Sequence, residues 1–169
     1  MKHDIFSTPV WVEKIEPYKI ELISENFQEK FLSGTISSLD TTMKNNKISD
    51  KGLKYLLDNI LKSLSDLSIT KISLTNIWRN KYEEGFQDMH FHNSAHFCFI
   101  VYEKLKEPQT VFFHPAYDLL TEKNLDKIIP SHICPKVHEN DMIIFPAYLK
   151  HMVKKSRDSV TISGNLNIV

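Results

Sequence analysis

Leu53, Leu56, Leu57, Ile60, Leu61, Leu64 and Leu67 recur every three or four positions, which gathers them into one apolar stripe and predicts an α-helix. Asp50 stands where it can cap the start. A looser stripe of Leu22, Ile23, Phe27, Phe31 and Leu32 predicts a second helix over 21–32, ended by Gly34, and the polar stretch 35–46 reads as a loop. Beyond residue 69 the pattern changes to short apolar or alternating runs, predicting strands over 69–82, 97–102, 110–114, 133–137 and 142–145, and from 160 to the C-terminus. Residues 5–12 are also β-rich, but Pro9 restricts them to a sheet edge. Loops are expected at 83–85, at 106–108 and over 117–130, the last with a short helical turn. Helices first and strands afterwards predict an α+β fold in which N-terminal helices pack on one sheet. The whole chain, 1–169, reads as one domain, with a helical part over about 20–67 and a β core over about 69–169.

The last strand is the most regular. Arg157, Ser159, Thr161, Ser163, Asn165 and Asn167 alternate with Asp158, Val160, Ile162, Gly164, Leu166 and Ile168, so one face is wholly polar. Beyond Arg157 that face carries only small uncharged groups, which suits a polar cavity inside a barrel as well as it suits a solvated face.

Composition narrows the function by exclusion. Twenty-one basic and 21 acidic residues cancel, so net charge gives no reason to expect nucleic acid or an anionic membrane as partner. No stretch reaches the ~20 apolar residues of a membrane span and no signal-peptide run opens the chain, so a cytoplasmic protein is expected, in the host cytoplasm if the gene is viral. Cys98 and Cys134 are expected as free thiols in strands. No Gly-x-Ser-x-Gly elbow, phosphate-binding glycine loop or Cys-x-x-Cys pair is present.

Chemistry enters with histidine. His90-Phe91-His92 sets two imidazoles two residues apart, hence on one face of an extended strand. His151 follows the apolar run Met142–Phe145, Pro146 and a turn, which suits delivery of a third imidazole from a neighbouring strand of a double-stranded β-helix. Imidazole is the commonest protein ligand for transition metals, and three of them leave coordination positions open. His3, His96, His114, His132 and His138 stand singly and read as packed or surface residues.

Asn76-Ile77-Trp78-Arg79-Asn80, Gly85-Phe86-Gln87, His90-Phe91-His92, residues 97–102, Phe145-Pro146 and His151 together resemble the Fe(II)/2-oxoglutarate oxygenases common in bacteria and tailed phages. The opening Phe6-Ser7-Thr8-Pro9-Val10-Trp11 resembles their N-terminal strand. The resemblance implies a double-stranded β-helix core, jelly-roll and cupin-like, holding Fe(II) through His90, His92 and His151. It further implies 2-oxoglutarate as cosubstrate and oxidation of a C–H bond, with release of succinate and carbon dioxide. Most of that superfamily carries a carboxylate where this chain has His92, and Asp88 is the alternative carboxylate ligand.

The family also carries an arginine on its last strand that grips the far carboxylate of 2-oxoglutarate, and Ser159 stands at that position here. Arg157 lies two residues earlier, ~6.6 Å along an ideal strand, and is the expected substitute, assisted by Ser159 or Thr161. Asn80, Tyr82 and Tyr102 are expected as hydrogen-bonding contacts to cosubstrate or substrate, or else as buried strand polarity. Two other readings stay open at this point: a cupin-like three-histidine metalloprotein that uses no 2-oxoglutarate, and a non-enzymatic β-sandwich accessory protein. The proline-bearing edge strand offers a seam for a homodimer.

Overall fold

A computed structural model describes residues 7–24, 27–29, 38–42 and 46–169. In chain order it contains β1 (Trp11–Lys14), β2 (Leu22–Ser24), β3 (Gln28–Glu29), β4 (Ser38–Thr41), β5 (Asn46–Ile48) and α1 (Asp50–Ser63). There follow β6 (Ile72–His90), β7 (Phe97–Lys104), β8 (Thr110–Phe113), α2 (Tyr117–Glu122), β9 (His132–Ile133), β10 (Asp141–Pro146), β11 (His151–Ser156) and β12 (Ser159–Ile168). Single 3-10 turns lie at Pro17–Ile20, Ser65–Leu67 and Leu125–Lys127.

The strands run β1-β10-β7-β12-β6-β11-β8-β9, every neighbouring pair antiparallel. The 19-residue β6 makes the sheet curl. Its first part pairs with β12, from Ile72 opposite Ile168 to Tyr82 opposite Ser159, and its end pairs with β11, from Gly85 opposite Ser156 to His90 opposite His151. Between the two stretches Glu84 takes φ 97°, a left-handed conformation that bends the strand. Residues 83–85, expected as a loop, are this bend inside a continuous strand, because each half has its own partner to bond.

The curl brings two walls face to face. Phe112 on β8 meets Phe145 on β10 edge to face at 4.9 Å between centroids, and the Tyr102 hydroxyl on β7 donates to Thr110 Oγ1 on β8 at 2.8 Å. On the outer side Phe99, Val101, Ile144, Ile162 and Leu166 form a second core with Leu56, Ile60 and Leu64 of α1. Each of those three helix side chains is fully buried, worth ~1.5–3 kcal/mol of apolar transfer apiece. The leucine stripe therefore packs on the sheet as expected. Ser49, not Asp50, caps α1: its Oγ accepts from the Gly52 N–H at 2.9 Å, while Asp50 sits in the first turn near the positive end of the helix dipole.

The helix expected over 21–32 does not form among the described residues. Leu22–Ser24 and Gln28–Glu29 are strands, and Leu22 lies opposite Ile48 of β5. The stretch read as a loop over 35–46 likewise holds β4, which pairs with β6, and the start of β5. Residues 1–6, and with them His3 and the first two positions of the strand expected over 5–12, lie outside the described residues, as do parts of 21–46; of that expected strand Trp11 and Val12 are paired, in β1 at the sheet edge. The expected turn in 117–130 is α2, and Cys98 and Cys134 are both free, Cys98 buried in β7 and Cys134 just past β9. No described helix is long and apolar enough to cross a membrane.

Candidate metal centre

Three backbone relations assemble the site. His90 is the last residue of β6, His151 is the first of β11, and the two are direct cross-strand partners. The turn before His151 is closed by the Leu149 N–H donating to Pro146 O at 3.0 Å. His92 lies just beyond the end of β6, where its own N–H donates to Ala147 O at 2.9 Å. Side-chain nitrogens of His90, His92 and His151 consequently lie within 4.8 Å of one another. Asp88 is not part of that convergence; its exposed carboxylate accepts from the Met89 N–H at 2.8 Å.

Hydrogen bonds orient two of these rings as ligands. His151 Nδ1 lies 3.0 Å from Leu149 O and His90 Nδ1 lies 2.8 Å from Asp88 O. A carbonyl only accepts, so Nδ1 carries the proton and Nε2 keeps its lone pair, which points toward the metal site on His151 and accepts from the Gln87 amide on His90. Gln87 Nε2 stands 3.3 Å from His90 Nε2, from the side of the pocket. Burial between Phe112 and Phe145, and then His90, hold His151 well below the usual imidazole range. Burial, then His90, lowers His92 to about 4, and its ring stacks on Trp78 at 6.3 Å. Three converging nitrogen donors, two of them held neutral near pH 7 by burial, with apolar or uncharged polar groups lining the pocket behind them, fit a divalent transition metal.

Behind the imidazoles a narrow pocket runs between the two walls. Asn80, Thr161 and Tyr102 lie in a row across β6, β12 and β7, since Thr161 is opposite both of the others, and the inward polar face of β12 is thereby realised. Asn80, Tyr82 and Thr161 line the pocket, and Tyr102 closes it through its bond to Thr110. Burial raises the phenols of Tyr82 and Tyr102, so both are proton donors.

Two of the expected contacts lie elsewhere. Ser159 is buried, but its hydroxyl is bonded to Ser156 Oγ at 2.7 Å and it does not line the pocket. Arg157 sits in the β11–β12 turn, 70% exposed, with its guanidinium on Glu84 Oε1 at 2.7 Å. It pins the bend of β6 from outside. Among the described residues lining the pocket none carries a positive charge. Sequence reasoning missed Gln87, Gln109 and Thr110, which do line it. Thr110 was within reach of a strand argument, being two residues before Phe112 on the face opposite His151 and Val153; Gln109 precedes the strand and carried no such signal.

A second, wider cleft of about 930 Å³ shares His92 with the first and is lined by Trp11, Phe91, His96 and Tyr148 among others. The remaining histidines are engaged locally: His96 Nδ1 lies 2.9 Å from Asn167 Oδ1, and His114 Nδ1 accepts from the Ala116 N–H at 3.0 Å.

No family model and no curated relative matches the chain. Solved structures do. HygX from Streptomyces hygroscopicus with nickel, 2-oxoglutarate and hygromycin B bound aligns at TM-score 0.59 and 11% identity, over 95% of this chain and 83% of that one. A Pseudomonas putida prolyl-4-hydroxylase aligns at 0.58 and 7% identity, over 96% and 94%. A 2OG-Fe(II) oxygenase family oxidoreductase from Burkholderia pseudomallei aligns at 0.55 and 10%, over 85% and 74%. The fold is a double-stranded β-helix. The mostly-sheet, curled architecture with few helices is common to the three neighbours and this chain, and at these identities the likeness carries the fold alone.

Proposed function

We propose that this chain is a non-haem Fe(II)- and 2-oxo acid-dependent oxygenase, with 2-oxoglutarate as the reference cosubstrate and His90, His92 and His151 as the metal ligands. The convergence of three imidazoles at the mouth of a β-helix pocket carries this reading, and the bound cofactors named for the HygX structures support it. Iron with a bound 2-oxo acid supplies the oxidising chemistry: dioxygen is consumed, the oxo acid loses carbon dioxide, and a substrate C–H bond becomes C–OH.

The chain's own contribution is placement and exclusion. Leu149 O and Asp88 O hold two imidazoles in the tautomer that coordinates. Phe112 and Phe145 pack around His151 and keep its side of the site dry. Asn80, Thr161 and Thr110 offer neutral hydrogen-bonding groups along the walls. The wider cleft on the far side of His92 is the approach for the substrate to be oxidised.

Anaerobic titration with Fe(II) and then 2-oxoglutarate tests the assignment. A visible charge-transfer band that needs both, together with succinate formation in air, is the expected result. Metal binding with no such band and no oxo acid affinity would instead favour a cupin-like metalloprotein, a reading to which the uncharged pocket lining lends weight.

A further inference from the structure

Gln109 is 1% exposed, and neither its Nε2 nor its Oε1 has a hydrogen-bond partner. It is the only described residue with a buried side-chain polar atom left in that state. Burying both halves of an amide unpaired is costly, and a fold keeps such a group only where something else compensates. Its backbone is fixed, because Gln109 O accepts from the Lys154 N–H at 2.9 Å. The side chain lines the pocket that runs from the three imidazoles.

Its depth in that pocket follows from the strand registers. On one wall Trp78, stacked on His92, is followed two residues deeper by Asn80, in the row with Thr161 and Tyr102. On the other, Phe112 opposite His151 is followed two residues deeper by Thr110 opposite Val153. Both steps are ~6.6 Å, and the Tyr102–Thr110 bond joins the walls at that level. Gln109 adjoins Thr110. Because Gln109 also lines this pocket, the strand step assigns its unpaired amide a level ~6.6 Å behind the imidazoles, comparable to the length of a chelated five-carbon oxo acid.

We infer that Gln109, with Thr110 beside it, holds the far end of the oxo acid, and that this end is read by hydrogen bonds and not by an ion pair. The inference rests on the oxo acid-dependent reading above. An amide offers one donor and one acceptor side by side. A distal carboxylate only accepts, so it satisfies Nε2 and leaves Oε1 facing negative charge. A distal carboxamide satisfies both. The pocket accordingly matches 2-oxo acids with a neutral donor–acceptor terminus at least as well as those ending in a carboxylate, the reverse of a site built around a guanidinium.

Two stable oxo acid mimics differing only at that terminus test this: N-oxalylglycine and N-oxalylglycinamide, titrated calorimetrically into the Mn(II)-loaded protein without turnover. The carboxamide is expected to bind as tightly as the carboxylate or more tightly. Gln109→Met, close in volume, should weaken both by about tenfold with Mn(II) affinity unchanged, while raising the melting temperature of the ligand-free protein. Gln109→Glu should shift the ratio a further tenfold or so toward the carboxamide by placing two carboxylates together. A wild-type preference of more than tenfold for the carboxylate overturns the inference and leaves the oxygenase reading standing. Unchanged affinities in Gln109→Met do the same. Failure of 2-oxoglutarate and both mimics to bind the Mn(II)-loaded wild type removes the inference and the oxo acid-dependent reading together.

Discussion

His90 and His151 face each other across the β6–β11 ladder with ring centroids 4.2 Å apart. Their proximity is written into the strand register, so the ligand pair exists before any metal arrives, and His92 is added by a single backbone bond to Ala147. A metal that binds this prepared set and not the unfolded chain must stabilise the fold by mass action, ~2.7 kcal/mol at a hundredfold excess over Kd. That corresponds to a melting shift of roughly 5–10 °C for a domain of this size. The His151→Ala protein, whatever its own melting temperature, is expected to show no such shift with Mn(II) or Fe(II) under anaerobic differential scanning calorimetry. An equal shift in wild type and variant would remove His151 from the ligand set.

The buried imidazoles also set a pH dependence in the metal-free protein. His92 is lowered from 6.5 to about 4 and His151 lies well below 6.5. In acid the unfolded chain takes up protons that the native state refuses, so stability is intact above about pH 6.5 and falls below it, the His92 part levelling off near pH 4. Each group adds at most ~1.4 kcal/mol per pH unit over its window. Urea unfolding at pH 7, 6 and 5 should register the decline, and His92→Phe should flatten it. At pH 7 these two rings have no proton to release, so their share of the metal-binding heat should not change with the buffer. A heat that tracks buffer ionisation in wild type but not in His92→Phe would contradict the assigned neutral state.

How much of this was legible depended on whether a local period determined the outcome. The leucines of α1 announce their helix because no other structure buries Leu56, Ile60 and Leu64 together. Over 21–32 the apolar residues fitted a helix equally, but Leu22 is 7% exposed and its neighbour Ile23 60%, the alternation of a strand whose partner, β5, lies in a polar stretch that gives no β signal. The histidine triad could be read because period two and one strand crossing suffice to assemble it. The floor of the pocket could not, since Gln109 precedes a strand, and its isolation appears only when every neighbour's hydrogen bonds are known. Arg157 was reasonable from distance along β12, yet a two-residue turn points it to Glu84 on the outside.

Gly52 marks where α1 meets the turn before β2. A Cβ placed there collides with the Ile20 carbonyl oxygen, a contact with backbone that no rotamer relieves. Gly52→Ala gains up to ~1 kcal/mol of helix propensity but must push the helix off the Pro17–Ile20 turn, an overpacking cost of ~1–3 kcal/mol. Net loss of stability in urea is expected, with Mn(II) affinity unchanged, because the displaced contact lies on the outer side of the sheet. A stabilised variant would mean that the helix end and the turn move apart freely.

Arg157 and Glu84 make the last distinction. Their pair is exposed, 70% and 53% for the two side chains, so its worth to stability is that of a surface ion pair, ~0–1 kcal/mol and smaller in high salt. Glu84 holds the left-handed φ at which β6 passes from one wall to the other, and the pair lies on the outside of that bend, away from the pocket lining. Arg157→Ala should therefore leave metal affinity and oxo acid affinity within about twofold of wild type, with at most a small fall in melting temperature that vanishes in 1 M salt. Calorimetric titration of the Mn(II)-loaded variant with 2-oxoglutarate decides it. A tenfold or greater loss confined to the oxo acid would mean that the guanidinium leaves Glu84 and enters the pocket on binding, restoring the anchor that the last strand otherwise lacks.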